Sequence, residues 1–388
     1  MVKIAQRLSG IDPFRVVEVL KRARELQTQG RDILHMEAGE PDFATAQPIV
    51  EAGRRALAAG ATHYSEAAGI PELRQAIAAF YQQHRGLDIS AERILVTPGA
   101  SGALLLVAAL LIDPGDTMLL ADPGYPCNRN FLRLFNGDAQ LVPVGPEQRY
   151  QLTAAVAEQN WSANTVGALV GSPANPTGEI LNFEELSELK QLIDQRGGAL
   201  IVDEIYHGLT YGIEAPSILQ ISNDAFVINS FSKFFGMTGW RLGWLVAPEN
   251  VVPELEKLAQ NLFISMSTMG QHAALAAFEP QTLEILEQRR DIFAERRNFL
   301  LPELRRLGFV IPNTPAGAFY LYADASRFTN DSRQFCLDLL EQHGVALTPG
   351  ADFGSYRANE HIRFSFTTGM SQLEQAVERL EKVLAAAS

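Results

Sequence analysis

Lys233 closes an apolar run and is followed by Phe234, Phe235 and Gly236, a setting for either a snorkelling ammonium or a reactive amine. Asp203 also ends an apolar run, where an unpaired carboxylate costs on the order of several kcal/mol. A buried salt bridge and the partner of a cofactor cation are both open for it. Gly99, Ala100, Ser101 and Gly102 open an apolar helical stretch, whose backbone N–H groups and dipole could hold a phosphate. Tyr125 lies in a Pro-Gly-Tyr-Pro turn and reads as packing or as a stacking platform. Asn175, between Pro173 and Pro176, reads as turn chemistry or as a ligand. Arg241 stands in Thr-Gly-Trp-Arg-Leu-Gly, where glycines allow close backbone approach. Each taken alone reads as structure. Together they point to a phosphate-bearing cofactor with a cationic ring, attached to an amine.

The elements that must position these groups are short apolar runs alternating with helical patterns. Strands are expected over 94–97, 117–122, 140–144, 166–172, 199–204, 226–232 and 243–247. Most are near-continuously apolar, as in strands covered on both faces. A helix is expected over 183–195, preceded by Asn182 as its N-cap. This alternation predicts an α/β fold with a mostly parallel seven-stranded sheet flanked by helices. In such a sheet ligands bind beyond the carboxyl ends of the strands, where the polar groups named above follow one strand after another. The ends of the chain differ. Amphipathic helices over 13–30 and 285–307, short strands in 318–324 and 361–366, and helices over 332–343 and 371–386 predict a smaller α+β domain. The expected division is 47–280 for the large domain, with 1–46 and 281–388 forming the small one.

A net charge of −13 leaves no basic footprint for a nucleic-acid partner. The longest apolar run, 103–112, is too short to span a bilayer and reads as a buried helix. Cys127 and Cys336 show no metal-ligand spacing and read as two reduced thiols. The first thirty or so residues lack the apolar core of a signal peptide. A soluble, cytoplasmic protein is expected.

Ser-Phe-Ser-Lys-Phe-Phe-Gly-Met-Thr-Gly-Trp-Arg-Leu-Gly (230–243) resembles the cofactor-lysine signature of the fold-type I, class I and II aminotransferases. Ser-Pro-Ala-Asn-Pro-Thr-Gly (172–178) and Val-Asp-Glu-Ile-Tyr (202–206) resemble that family's other hallmarks, in the same order. The likeness runs from Gly-Glu-Pro-Asp-Phe (39–43) to Ile-Arg-Phe-Ser-Phe (362–366). The resemblance implies pyridoxal 5′-phosphate as cofactor, held as a Schiff base by Lys233, whose freed amine then moves the proton during catalysis. It implies Asp203 at the protonated ring nitrogen, Asn175 and Tyr206 at the phenolic oxygen, and Tyr125 on the ring face. It further implies Arg241, Ser230, Gly99, Ala100 and Ser101 at the phosphate, with Ser232 ranked below Ser230. A tyrosine from a neighbouring subunit also reaches the phosphate in this family, and Tyr64 matches it, so a homodimer is implied. Arg363, with Gly39 and Asn175, would grip the substrate α-carboxylate.

The implied reaction moves an amino group from an L-amino acid to a 2-oxo acid, 2-oxoglutarate being the usual partner, in ping-pong order. One departure bears on the substrate. Similar prokaryotic aspartate aminotransferases often carry a lysine in the small-residue loop to read a distal carboxylate, and Ser101 stands there. A neutral amino acid is at least as well supported as an acidic one. A carbon–sulfur β-lyase would use the same lysine and aspartate. A cofactor-sensing regulator is a remote alternative, since it would need a basic N-terminal module that this acidic chain does not present.

Overall fold

The structure is a computed structural model that describes residues 2–386. The helix Arg15–Thr28 leads into a two-residue strand, β1 (Leu34–His35). Seven strands then build the large sheet: β2 (Ile94–Thr97), β3 (Thr117–Asp122), β4 (Asp138–Pro143), β5 (Thr165–Gly171), β6 (Ala199–Asp203), β7 (Phe226–Ser230) and β8 (Gly243–Val246). Their order is β2-β8-β7-β6-β5-β3-β4. β8 is antiparallel to both of its neighbours, and the other pairings are parallel. The expected seven-stranded, mostly parallel sheet is therefore the one observed, with each strand within about two residues of its expected span.

Two apolar layers explain why these runs are strands. Successive side chains on a strand point to opposite faces. Ile94, Val96, Val170, Val202, Val227 and Trp244 pack on one side of the sheet. Leu95, Leu120, Leu169, Ile201, Ile228 and Leu245 pack on the other. Flanking helices cover both layers. The helix Phe183–Gln195 begins as the sequence predicts: Asn182 Oδ1 accepts the Glu185 N–H at 2.9 Å, and the Glu185 carboxylate accepts the Asn182 N–H at 2.8 Å. Such a reciprocal cap is worth about 1 kcal/mol.

A separate core lies under the C-terminal third. β9 (Tyr320–Asp324), β11 (Thr348–Pro349) and β12 (His361–Ser365) form an antiparallel sheet in the order β11-β12-β9, while β10 (Val345–Ala346) pairs in parallel with β1. Leu34, Met36, Leu321, Phe364 and Leu373 are buried together there. The N-terminal segment is thus threaded into this layer: Met36 N–H donates to Ala346 O at 3.0 Å, and Ser365 N–H to Met36 O at 2.8 Å. The two-residue strands β1, β10 and β11 are too short to show periodicity in the sequence. The helix expected over 285–307 starts earlier, at Pro280, because proline fits the first turn, where its missing N–H costs nothing. Among the described residues no helix is long and apolar enough to cross a membrane.

Candidate active site

The strand ends converge as the open-sheet rule requires. β2 runs into the helix Gly99–Leu111, β3 into Tyr125, β5 into Asn175, β6 ends at Asp203, and β7 leads to Lys233. β8 adds what the parallel rule does not: because it is reversed, its start lies at this same end, and Arg241 arrives just before it. Ser230 and Thr97 both pair with Gly243, which sets the register of that corner.

These groups line one cavity of about 350 Å³. Gly39, Ala100, Ser101, Tyr125, Asn175 and Asp203 are on its walls, as are Tyr206, Ser230, Ser232, Lys233, Arg241 and Arg363. Gly99 lies just behind, with a left-handed φ of 74°, and a β-carbon there would come within 2.7 Å of Arg241 Nη2. Tyr64 is outside the cavity, 82 % exposed on the surface.

Lys233 Nζ donates to Gly39 O at 2.6 Å. Burial lowers its pKa to about 8, and the Arg363 charge pushes the same way. A neutral, nucleophilic amine is thereby accessible near neutral pH. Asp203 responds to the same burial in the opposite sense, its pKa raised to about 6, with the Ile205 N–H (3.1 Å) and Lys233 partly offsetting the shift. The Ile205 N–H is the carboxylate's one hydrogen-bond donor among the described residues. A buried carboxylate with so little compensation is suited to a cationic N–H brought in by a ligand.

Arg363 reaches in from β12 and is 2 % exposed. Its Nη1 donates to Asn175 Oδ1 at 3.1 Å and its Nη2 to Glu37 O at 2.6 Å, while Nε has no partner. The guanidinium lies 4.3 Å from the Tyr320 ring and 4.9 Å from the Phe353 ring. This holds the fork in place with a donor to spare for a carboxylate. The Ser230 hydroxyl is directed at Leu242 O (3.1 Å) and Ser232 Oγ (2.9 Å). A hydroxyl has one proton, so Ser230 donates to one of the two at a time; when it donates to Ser232, the Ser232 proton is free for a further acceptor.

Several cavity residues carry no recognisable local signal. Tyr320, from β9, has its hydroxyl 2.9 Å from that of Tyr206. Phe14, Val16, Val17 and Leu20, around the start of the first helix, form an apolar wall. Arg129 and Phe353 also line the space. Only the tertiary fold brings them there. The arrangement fits a phosphorylated aromatic aldehyde. Arg241 and the N-terminus of the helix Gly99–Leu111 offer an anion cradle, Asp203 an acceptor for a ring N–H, and Lys233 an amine for the carbonyl.

Comparison with known proteins agrees with this chemistry. The family model described as aminotransferase class I and II matches residues 31–380. The valine–pyruvate aminotransferase of Mycobacterium tuberculosis is 39% identical over 374 residues, 96% of each chain. The aspartate/prephenate aminotransferase of Thermus thermophilus is 34% identical over 384 residues, 98% of each chain. Among solved structures, an aminotransferase from Mycobacterium tuberculosis superposes with a TM-score of 0.96 at 38% identity, covering 100% of both chains. The Thermus thermophilus aspartate aminotransferase with maleate superposes with a TM-score of 0.93 at 34% identity, over 99% of this chain and 100% of that one. The signature around Lys233, the sheet that presents it and these likenesses along the chain lead to one conclusion: this protein belongs to the class I and II aminotransferases, the pyridoxal phosphate-dependent transaminases of the aspartate aminotransferase superfamily.

Proposed function

We propose that this enzyme transfers the amino group of an L-amino acid with an apolar side chain to 2-oxoglutarate. The order would be ping-pong, the donor leaving as its oxo acid before the acceptor enters. The observation that carries the reading is the convergence of the Lys233 amine, the Asp203 carboxylate and the Arg363 guanidinium on one cavity.

Bound pyridoxal phosphate supplies an electron sink for the pair released when the substrate Cα–H bond breaks. Arg241, Ser230, Ser232 and the backbone at Gly99, Ala100 and Ser101 would hold its phosphate. Asp203 would keep its ring nitrogen protonated, Asn175 and Tyr206 would bond its phenolic oxygen, and Tyr125 would cover its face. Arg363, with Gly39 and Asn175, orients the substrate carboxylate so that Cα–H points at Lys233. The Lys233 amine, whose pKa burial lowers to about 8, takes that proton in its neutral form and later returns it. Phe14, Val16, Val17 and Leu20 offer an apolar side chain an apolar wall. The name of the Mycobacterium tuberculosis relative, a valine–pyruvate aminotransferase, agrees with such a donor. Tyr64, exposed on its own subunit, would complete the phosphate site of a partner in a homodimer. A cytoplasmic location suits both substrates.

The test is to load the purified protein with pyridoxal phosphate and add single amino acids from a full panel. An apolar amino acid should bleach the visible band, 2-oxoglutarate should restore it, and Lys233→Ala should do neither. Release of ammonia with no need of an acceptor would instead indicate lyase chemistry.

A further inference from the structure

The cavity has one cation more than the proposed reaction uses. Its positively charged lining residues are Arg129, Lys233, Arg241 and Arg363, and its acidic ones are Glu40 and Asp203. Glu40 is engaged by the Thr238 hydroxyl, and Asp203 would pair with the ring N–H of the bound cofactor. Lys233 is the reacting amine. The cofactor phosphate and the substrate α-carboxylate account for Arg241 and Arg363. Arg129 is left over.

Its surroundings leave it available. Arg129 is in the first turn of the helix Cys127–Leu134, directly after the Pro-Gly-Tyr-Pro turn that presents Tyr125. It is half-buried, and among the described residues its side chain makes no hydrogen bond or ion pair. Asp352, whose charge is felt at the adjacent Cys127, is spent on the backbone N–H groups of Arg15 and Val16, at 3.1 and 3.3 Å. Asp122, at the end of β3, is spent on Ser355 and Tyr356. A partly desolvated guanidinium with no anion of its own selects for a ligand that carries one.

A transaminase must accept two side chains in one pocket. Here the chain supplies two kinds of wall: the apolar one at Phe14, Val16 and Val17, and the cation at Arg129. We propose that Arg129 is the specificity-determining residue for a dicarboxylic oxo-acid acceptor, pairing with its distal carboxylate, while the amino donor's apolar side chain lies on the N-terminal wall. This rests on the reading given under the proposed function. It also accounts for Ser101 standing where similar enzymes often carry a lysine: the charge comes from the helix after β3 instead.

The acceptor half-reaction tests it. Enzyme loaded by an apolar amino acid is mixed with 2-oxoglutarate or with pyruvate, and kcat/KM is taken for each. In Arg129→Gln the ratio of 2-oxoglutarate to pyruvate should fall at least about tenfold, with Arg129→Lys recovering part of it. A ratio that stays constant, whether or not both rates fall, overturns the proposal. The unaltered enzyme gives a second measure that no folding defect can blur. It should prefer 2-oxoglutarate over the distal monoamide of the same acid by about tenfold or more, and parity overturns the proposal. Failure of every amino acid to load the enzyme would sink the proposed function itself, which is a different result from an unchanged acceptor ratio.

Discussion

The hydroxyls of Tyr206 and Tyr320 are 2.9 Å apart, joining the loop after β6 of the large sheet to β9 of the C-terminal layer. Both phenols are buried, and burial pushes both to high pKa. Tyr320→Phe leaves the Tyr206 hydroxyl without its buried partner and should lower stability by about 1 kcal/mol, measured by urea unfolding of the apo protein. Tyr206→Phe should, in addition, shift the pH titration of the bound cofactor's absorption band, and Tyr320→Phe should shift it less.

Lys233 titrates at about 8, depressed first by burial and next by Arg363. The neutral amine is the form that combines with an aldehyde. The rate at which apo enzyme takes up pyridoxal phosphate should therefore rise with pH through about 8 and level off above it. Arg363→Met, which removes the second cause, should move that midpoint upward, as read by stopped-flow absorbance.

Asp203 is raised from 3.8 to about 6 by burial. Between those values the folded apo protein binds the proton that the unfolded chain has released, so stability falls as pH rises. The loss is complete above about 6, and by order of magnitude it is about 3 kcal/mol. Asp203→Asn removes the charge and should give an apo protein that melts higher than the unaltered one at pH 8. The same variant, loaded with cofactor, should lose at least about 100-fold in turnover, near 2.7 kcal/mol of barrier. A variant that melts lower as apo protein, or turns over normally, contradicts this account.

Gly99→Ala should weaken cofactor binding. Its φ of 74° disfavours a side chain, and the new β-carbon would displace Arg241 from 2.7 Å away. At least a tenfold rise in the dissociation constant of pyridoxal phosphate is expected, with the far-ultraviolet circular dichroism unchanged.

If Tyr64 serves the partner's site, Tyr64→Ala and Lys233→Ala should complement each other. Mixed and reassembled, half the two-fold dimers would hold one intact site, so about a quarter of the native activity should return. Mixing that restores nothing would place Tyr64 outside the site.

The sequence by itself determined the sheet and the chemistry at its strand ends. Short apolar runs such as 199–202, alternating with helical patterns, read as strands covered on both faces, and Asp203 and Lys233 are polar interruptions that follow such runs. Both signals are local, as is the cap at Asn182. Tertiary structure decided what depends on neighbours distant along the chain. It reversed β8, which brings Arg241 to the carboxyl ends of the parallel strands. It set Arg363 against Asn175 across 188 positions. It folded Phe14, Val16 and Val17 over the cavity and left Arg129 inside it without a partner. Nothing in the residues flanking Phe14 or Arg129 marks them, because what defines their role is the packing of separate layers against one another.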